Sequence, residues 1–140
     1  MEAADELQIV PRDALKLRKS ATGLGLFVDC ERIAAGQRLM RYTGPLLNHA
    51  QQLRKGGRYL FEVRPDVFID GSARANRARY FNHSCAPNAQ ARVEPGRDEV
   101  WIWSLRELRR GEEVCYDYGR EYFEHFIGAQ CRCAHCSEPQ

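Results

Sequence analysis

The 140-residue sequence contains no apolar run near the roughly 18 to 20 residues that a membrane-spanning helix needs. It also lacks an excess of one charge, because 21 Lys and Arg against 19 Asp and Glu leave a formal charge of +2. Residues 1–6 are acidic and have neither the positive start nor the apolar stretch of a secretory signal. We therefore expect one globular domain in the cytoplasm, or in the nucleus of a eukaryote, with no membrane partner and no direct nucleic-acid partner.

The six cysteines favour metal binding over disulfides if the compartment keeps thiols reduced. Three of them are close together near the C-terminus, at Cys131, Cys133 and Cys136. A structural zinc ion takes four ligands, and the candidates for the fourth are Cys85, His135, His125, Cys30 and Cys115. We favour Cys85, which follows a strand that Pro87 limits, because the strand-like runs around the last two are typical of core thiols. The alternative is a set of free tail thiols.

Polar and aromatic side chains are crowded together in residues 79–88, Arg-Tyr-Phe-Asn-His-Ser-Cys-Ala-Pro-Asn. Such a segment is typical of a small-molecule pocket, and a surface turn is the alternative. A cysteine–histidine nucleophile site is not favoured. His83 and Cys85 would share one face of an extended segment, with no evident partner to orient the imidazole.

Short alternating runs predict a β-rich fold with little helix. We expect strands at 7–10, 15–19, 38–42, 59–63, 67–70, 89–93, 99–105 and 112–118. Gly23 and Gly25 permit close approach of the backbone to a ligand, although a plain turn between strands is the simpler interpretation. Residues 48–57 are expected to form a short helix or a loop. Trp101 and Trp103 fall on one face of their strand and are predicted to be core.

Three tyrosines are candidates to line a narrow channel. Tyr116 and Tyr118 are two positions apart, so a strand would direct both to the same side. Tyr42 ends another strand, which is entered through a similar glycine turn. Together they would offer aromatic walls and hydroxyl ends to an alkylammonium stem. Ordinary aromatic core is the alternative.

Four motifs occur here in the order in which SET-domain protein lysine methyltransferases have them, and from about residue 15 to residue 136 the sequence resembles that family. The motifs are Gly23-Leu24-Gly25, Tyr42-Thr43-Gly44, residues 79–88 and residues 107–118. The resemblance implies a mainly β, β-clip-like fold of short strands and small sheets with a pseudoknot, a short C-terminal helix and a zinc-bound post-SET tail. We expect a tail with a first strand at 1–14, the SET domain at 15–119 and the post-SET segment at 120–140. The small size resembles compact stand-alone members.

The resemblance also implies a function, which is S-adenosylmethionine-dependent methyl transfer to the side-chain amine of a protein lysine. The implied cofactor-binding residues are Thr22, Gly23, Leu24, Gly25, Tyr59, Arg79, Asn82, His83 and Tyr122. Tyr118 matches the catalytic tyrosine and Tyr42 the channel tyrosine. Tyr116 matches a position where tyrosine, as against phenylalanine, restricts the product, which points to monomethylation. The implied ligands of a structural zinc ion are Cys85, Cys131, Cys133 and Cys136. A histone, a nucleoid protein and a ribosomal protein all remain possible substrates.

Two departures from the family pattern keep an alternative open. The tail reads Cys-x-Cys-x₂-Cys, where the family more often has four residues in the last gap, and Leu24 stands where an aromatic residue is common. The alternative is a non-catalytic, zinc-containing binding module with a degenerate SET fold. A zinc hydrolase is excluded, because four protein ligands would leave no open position on the metal.

Overall fold

The computed structural model describes residues 9–21, 23–55, 57 and 59–119. Within these ranges the chain forms many short strands and one short α-helix, so the predicted mainly β fold is confirmed. The elements are β1 (Leu15–Ser20), β2 (Gly23–Val28), β3 (Arg32–Ile33), β4 (Arg38–Tyr42), β5 (Leu46–Asn48), α1 (His49–Lys55), β6 (Leu60–Arg64), β7 (Val67–Asp70), β8 (Asn82–His83), β9 (Ala89–Glu94), β10 (Glu99–Ser104), β11 (Leu108–Arg109) and β12 (Glu113–Tyr116). Two 3₁₀ turns cover Arg12–Ala14 and Arg77–Tyr80. No helix in the described ranges has the length and apolar character needed to cross a membrane.

The largest sheet is organised around β12. Its strand order is β1-β2-β12-β9-β10-β4, and β8 also pairs with β12. β2 runs antiparallel to β12, whereas β8 and β9 both run parallel to it. Segments from the start, the middle and the end of the described chain therefore meet on this one four-residue strand.

Two smaller sheets complete the fold. β3 and β11 pair antiparallel, with Ile33 opposite Leu108. These are the two similar strand entries that precede the tyrosine-bearing strands, and they pair with each other. The second small sheet has the order β5-β7-β6. Helix α1 follows β5 directly and buries none of its side chains. The short helix predicted within residues 48–57 is confirmed.

The core lies on the inner face of the large sheet, and the prediction for the two tryptophans is wrong. Along β10, the alternate residues Val100, Ile102 and Ser104 are at most 1% exposed, while Trp101 and Trp103 lie on the other, half-buried face. There Arg38 lies 5.3 Å from the centre of each tryptophan ring system. The period of two correctly places both tryptophans on one face, but it does not say which face is the core. The aliphatic pair occupies it.

Two predicted boundaries near the N-terminus also differ. Gly23 and Gly25 lie inside β2 and not in a turn, and they pair with Ser20 and Arg18 of β1. Ile9 forms an isolated parallel bridge with Arg38 in place of the strand expected at 7–10, and residues 7 and 8 lie outside the described ranges. The first described strand therefore begins at residue 15.

The C-terminal end of the predicted 112–118 strand is shorter than expected, because β12 spans only residues 113–116. Asp117 and Tyr118 follow it outside the sheet. The two cysteines predicted as core thiols, Cys30 and Cys115, are half-buried. In both cases strand propensity reaches one or two residues further than the pairing does.

Candidate active site

The pairing of β8 with β12 brings together the two longest motifs of the sequence. Asn82 lies opposite Cys115 and His83 opposite Tyr116, although these partners are 33 residues apart in sequence. The Ser84 N–H donates to the Tyr116 carbonyl oxygen at 3.1 Å and extends the ladder by one bond. The polar segment and the tyrosine segment thus form one local structure.

The far end of the polar segment is fixed to the same strand by Asn88. Its Nδ2 donates to the Glu113 carbonyl oxygen at 2.9 Å, and its Oδ1 accepts from the Cys115 N–H at 2.9 Å. The side chain is 8% exposed, so both of these bonds are buried. It satisfies backbone groups of β12 as a neighbouring strand would. Sequence reasoning gave Asn88 no role of its own, and its signal was an amide able to donate and accept at once.

The carboxamide of Asn82 is held by its nitrogen. Nδ2 lies 2.7 Å from Glu113 Oε2, 3.0 Å from the Leu24 carbonyl oxygen and 3.2 Å from Ser20 Oγ. Three acceptors around one atom identify that atom as the nitrogen, since the amide oxygen does not donate. The hydrogen bonds that the described residues make with this side chain therefore leave Oδ1 as an acceptor.

His83 is 8% exposed, and its ring has partners at both nitrogens. Nδ1 accepts the Tyr118 N–H at 3.1 Å, so in the neutral ring the proton sits on Nε2, which lies 3.3 Å from Cys85 Sγ. Burial lowers the pKa of His83, and the Asp117 carboxylate, 3.8 Å from Nδ1, opposes that effect. The expectation that the imidazole lacks an orienting partner was therefore wrong.

Tyr116 and Tyr118 lie side by side, with ring centres 5.0 Å apart in an edge-to-face arrangement. The Tyr118 ring also lies 5.3 Å from the His83 ring, and its hydroxyl donates to the carbonyl oxygen of Phe81. Tyr116 is 5% exposed and meets the Phe81 ring edge-on at 6.3 Å. Two aromatic rings, one hydroxyl and one carbonyl are thereby fixed relative to one another.

Tyr42 lies at the end of β4 and is 4% exposed. Its hydroxyl donates to the Tyr59 carbonyl oxygen at 2.8 Å, and its ring lies 5.6 Å from the Phe61 ring. A Cβ on Gly71 would overlap the Tyr42 ring, so this position accepts only glycine without rearrangement. The described contacts of Tyr42 are thus with the β6 side of the site, whereas Tyr116 contacts Tyr118.

Arg79 carries the positive charge of the site. Its guanidinium lies 4.3 Å from the Tyr59 ring centre and 5.2 Å from that of Tyr80, and it donates to the Ser72 carbonyl oxygen. Its Nε is buried, and within the described chain no acceptor satisfies it. Native structures rarely leave a buried donor unpaired, so this atom marks a place for a ligand acceptor.

The glycine motif forms the wall next to Asn82. Gly25 is buried, Gly23 is exposed and the Leu24 side chain is 47% exposed. The other predicted cofactor contacts, Thr22 and Tyr122, lie outside the described residues. So do three of the four predicted metal ligands, Cys131, Cys133 and Cys136. Cys85 is exposed, and the described residues include no cluster of three or more possible metal ligands.

Asn76 is a buried polar residue that sequence reasoning missed. It lies 2% exposed in the connection between β7 and β8, where its Nδ2 donates to the Gly71 carbonyl oxygen at 3.0 Å. Its Oδ1 accepts the Thr43 N–H, also at 3.0 Å. It therefore ties the residue after Tyr42 to the glycine that packs on the Tyr42 ring. A single Asn among small residues was the signal.

A sequence model of the SET domain family matches residues 23–119, which is 97 of the 140 residues. The chain therefore belongs to the SET domain family.

Curated relatives align over most of this chain. Histone-lysine N-methyltransferase trithorax of Drosophila virilis is 30% identical over 129 residues, covering 85% of this chain and 3% of the relative. Histone-lysine N-methyltransferase, H3 lysine-4 specific, of Schizosaccharomyces pombe is 33% identical over 132 residues, covering 81% and 14%. Histone-lysine N-methyltransferase 2B of Homo sapiens is 35% identical over 124 residues, covering 80% and 4%. The chain thus spans only 3 to 14% of the length of these relatives.

Proposed function

We propose that this chain is a protein-lysine methyltransferase that uses S-adenosylmethionine and acts on a lysine of a histone or another basic protein. The observation that carries the proposal is the parallel pairing of β8 with β12. It brings Asn82 and His83, which the family resemblance assigns to the cofactor, next to the segment of Tyr116 and Tyr118. The printed names of the relatives support lysine methylation, with histones as the first substrates to test.

The described residues fit this cofactor. S-adenosylmethionine carries a carboxylate, an ammonium group and an adenosine, and the site offers the buried, unpartnered Nε of Arg79 and the acceptor Oδ1 of Asn82. When bound, the cofactor supplies a methyl group activated by a positive sulfur atom. The residues proposed to hold it are Thr22, Gly23, Leu24, Gly25, Tyr59, Arg79, Asn82, His83 and Tyr122.

The aromatic residues are proposed to prepare the lysine. Its nitrogen attacks only in the neutral form, and a channel walled by Tyr42, Tyr116 and Tyr118 would exclude water and lower the pKa of the lysine. The Tyr118 hydroxyl, held by the Phe81 carbonyl, would orient the nitrogen toward the methyl group. The chain thus contributes desolvation and alignment.

The degree of methylation is proposed to depend on Tyr116. This ring is buried and packs against Tyr118, so its hydroxyl would occupy space that a second methyl group on the lysine nitrogen needs. We propose monomethylation as the principal product. Tyr116→Phe should raise the share of di- and trimethyl-lysine in mass spectra of a peptide product. An unchanged product distribution would contradict this role.

A structural zinc ion is proposed at Cys85 together with the cysteines of the tail, Cys131, Cys133 and Cys136. An exposed sulfur 3.3 Å from the Nε2–H of His83 is suited to a thiolate, since a hydrogen bond to the ligand atom stabilises its negative charge. The reduced thiols that such a site needs fit a cytoplasmic or nuclear location. Cys133→Ala should lower the zinc content of the purified protein, and Cys30→Ala, the matched control, should leave it unchanged. Equal zinc content in both would exclude the site.

The function is tested by cofactor titration and methyl transfer on a sample of known zinc content. Isothermal titration should give one cofactor site per chain, and tritiated methyl groups should appear on lysines of core histones. Tyr118→Phe should retain cofactor binding within about threefold and lose roughly 100-fold or more in transfer rate. Full activity in Tyr118→Phe would refute the catalytic assignment. A zinc-loaded protein without cofactor binding would instead favour the binding module, which the exposed Leu24 keeps as the alternative.

A further inference from the structure

Glu113 is the acidic residue in closest contact with the cofactor side of the site. It begins β12, opposite Phe27 of β2, and its Oε2 lies 2.7 Å from Asn82 Nδ2. A hydrogen bond to a charged carboxylate is roughly twice as strong as one between neutral groups. Among the three acceptors around this nitrogen, Glu113 is both the nearest and the only charged one.

This contact determines which way the Asn82 amide faces. The nitrogen has two protons, and they are directed toward Glu113 and the Leu24 carbonyl oxygen, with Ser20 Oγ slightly further away. Oδ1 is then held on the opposite side of the amide. An amide oxygen next to a carboxylate is a favourable partner for a cationic donor.

The second glycine of the Gly-x-Gly motif gives independent evidence for the same arrangement. A Cβ on Gly25 would overlap Glu113 Oε2 and would lie 3.0 Å from Asn82 Nδ2. A Cβ on Gly23 would meet nothing within 4 Å. The close approach that requires glycine at position 25 is therefore to the Glu113 carboxylate, within the protein itself.

We propose that Glu113 is a positioning residue, which holds Asn82 so that Oδ1 accepts a hydrogen bond from the ammonium group of S-adenosylmethionine. The proposal rests on the proposed function for the identity of the ligand. Asn82 would contact the cofactor, and Glu113 would act through Asn82. Gly25 would be present to make room for the carboxylate.

The packing part is tested without any ligand by a double-mutant cycle on thermal unfolding. Gly25→Ala should destabilise the wild-type protein clearly, because the new methyl group displaces the carboxylate. In a Glu113→Ala background the same change should cost less than half as much, since the conflicting atom is gone. Equal costs in the two backgrounds would refute the claim that Gly25 serves Glu113.

The ligand part is tested by comparing two ligands that differ in the amino-acid group. S-adenosylhomocysteine keeps the ammonium group, whereas 5′-methylthioadenosine keeps the adenosine and the thioether but lacks it. In Glu113→Ala, the dissociation constant for S-adenosylhomocysteine should rise roughly 10-fold, the value expected for losing a charged hydrogen bond. Binding of 5′-methylthioadenosine should stay within about twofold of wild type.

Two further variants separate positioning from general support. Glu113→Gln keeps an oxygen that can accept from Asn82 Nδ2 and should recover part of the affinity. Glu112→Ala is the matched control, because that neighbouring carboxylate binds Arg106 at 3.0 Å and should not affect either ligand. Equal weakening of both ligands in Glu113→Ala would refute the positioning role. If the wild type binds neither ligand, the proposed function fails and the ammonium contact with it, while the unfolding cycle still decides the role of Gly25.

Discussion

Replacing Asn76 by alanine should cost a large part of the stability of this domain. The change removes both hydrogen bonds of a carboxamide that is 2% exposed. The Gly71 carbonyl oxygen, which is buried, loses its Asn76 donor, whereas the exposed Thr43 can recover a bond with water. A lost buried partner costs about 1 to 3 kcal/mol and a replaced one about 1 kcal/mol, so we expect a total of about 2 to 4 kcal/mol. For a chain of this size that corresponds to a melting temperature roughly 8 to 15 °C lower.

The measurement is thermal or urea unfolding of wild type and variants at one pH. Gln90→Ala is the control, because it removes an exposed amide whose described bond is to Arg92, and it should cost less than about 0.5 kcal/mol. Asn76→Asp keeps the shape and the acceptor but replaces the donor to Gly71, so it should also destabilise strongly. A loss in Asn76→Ala no larger than in Gln90→Ala would refute the reasoning.

Three more predictions concern single contacts. Tyr42→Phe removes the hydroxyl bond to Tyr59 and should lower the free energy of unfolding by about 1 kcal/mol. Gly71→Ala places a methyl group on the Tyr42 ring and should cost about 1 to 3 kcal/mol, measured by urea unfolding. The hydrogen bond from Arg64 lowers the pKa of Asp98, so this pair stabilises the fold above the ordinary aspartate pKa of about 4. The difference in melting temperature between wild type and Asp98→Asn should therefore disappear as the pH falls through the lowered pKa.

Each of these has an outcome that would contradict it. Unfolding curves of Tyr42→Phe that superimpose on wild type would show that the hydroxyl bond contributes nothing net. A neutral Gly71→Ala would mean that the ring moves without cost. For Asp98→Asn, a difference that persists at pH 2 would assign the effect to something other than the ion pair with Arg64.

Local patterns predicted most of the strands because the alternation that reveals a strand is a property of neighbouring residues. The strand over Arg38–Tyr42 was predicted with its observed bounds, and the hairpin of β9 and β10 was predicted within one residue at each end. Partners were beyond reach, since nothing in residues 82–83 or 113–116 indicates that these segments pair in parallel across 33 positions. The tryptophans show the same limit, because alternation gives a shared face and not the side on which the core lies.

The candidate site was predicted through whole motifs and not through the contacts inside them. Asn82 and His83 were named as site residues, and the structure gives each a defined set of partners, although their roles remain predictions. Asn76, Asn88 and Glu113 had no predicted role. Each acts by binding backbone or side chains far away in sequence, which no spacing rule describes. An isolated amide or carboxylate has many possible partners, and only the fold selects one.

The central position of β12 has a consequence for the order of folding. Strand β2 near the start, β8 and β9 in the middle and Tyr118 near the end of the described chain all depend on a strand that is synthesised late. The hairpins β1–β2 and β9–β10 are local and can form early, but the pairing between them must wait for long loops to close. A nascent chain that stops before residue 113 would therefore hold two hairpins and no pocket. During synthesis, cofactor binding would become possible only after β12 has left the ribosome.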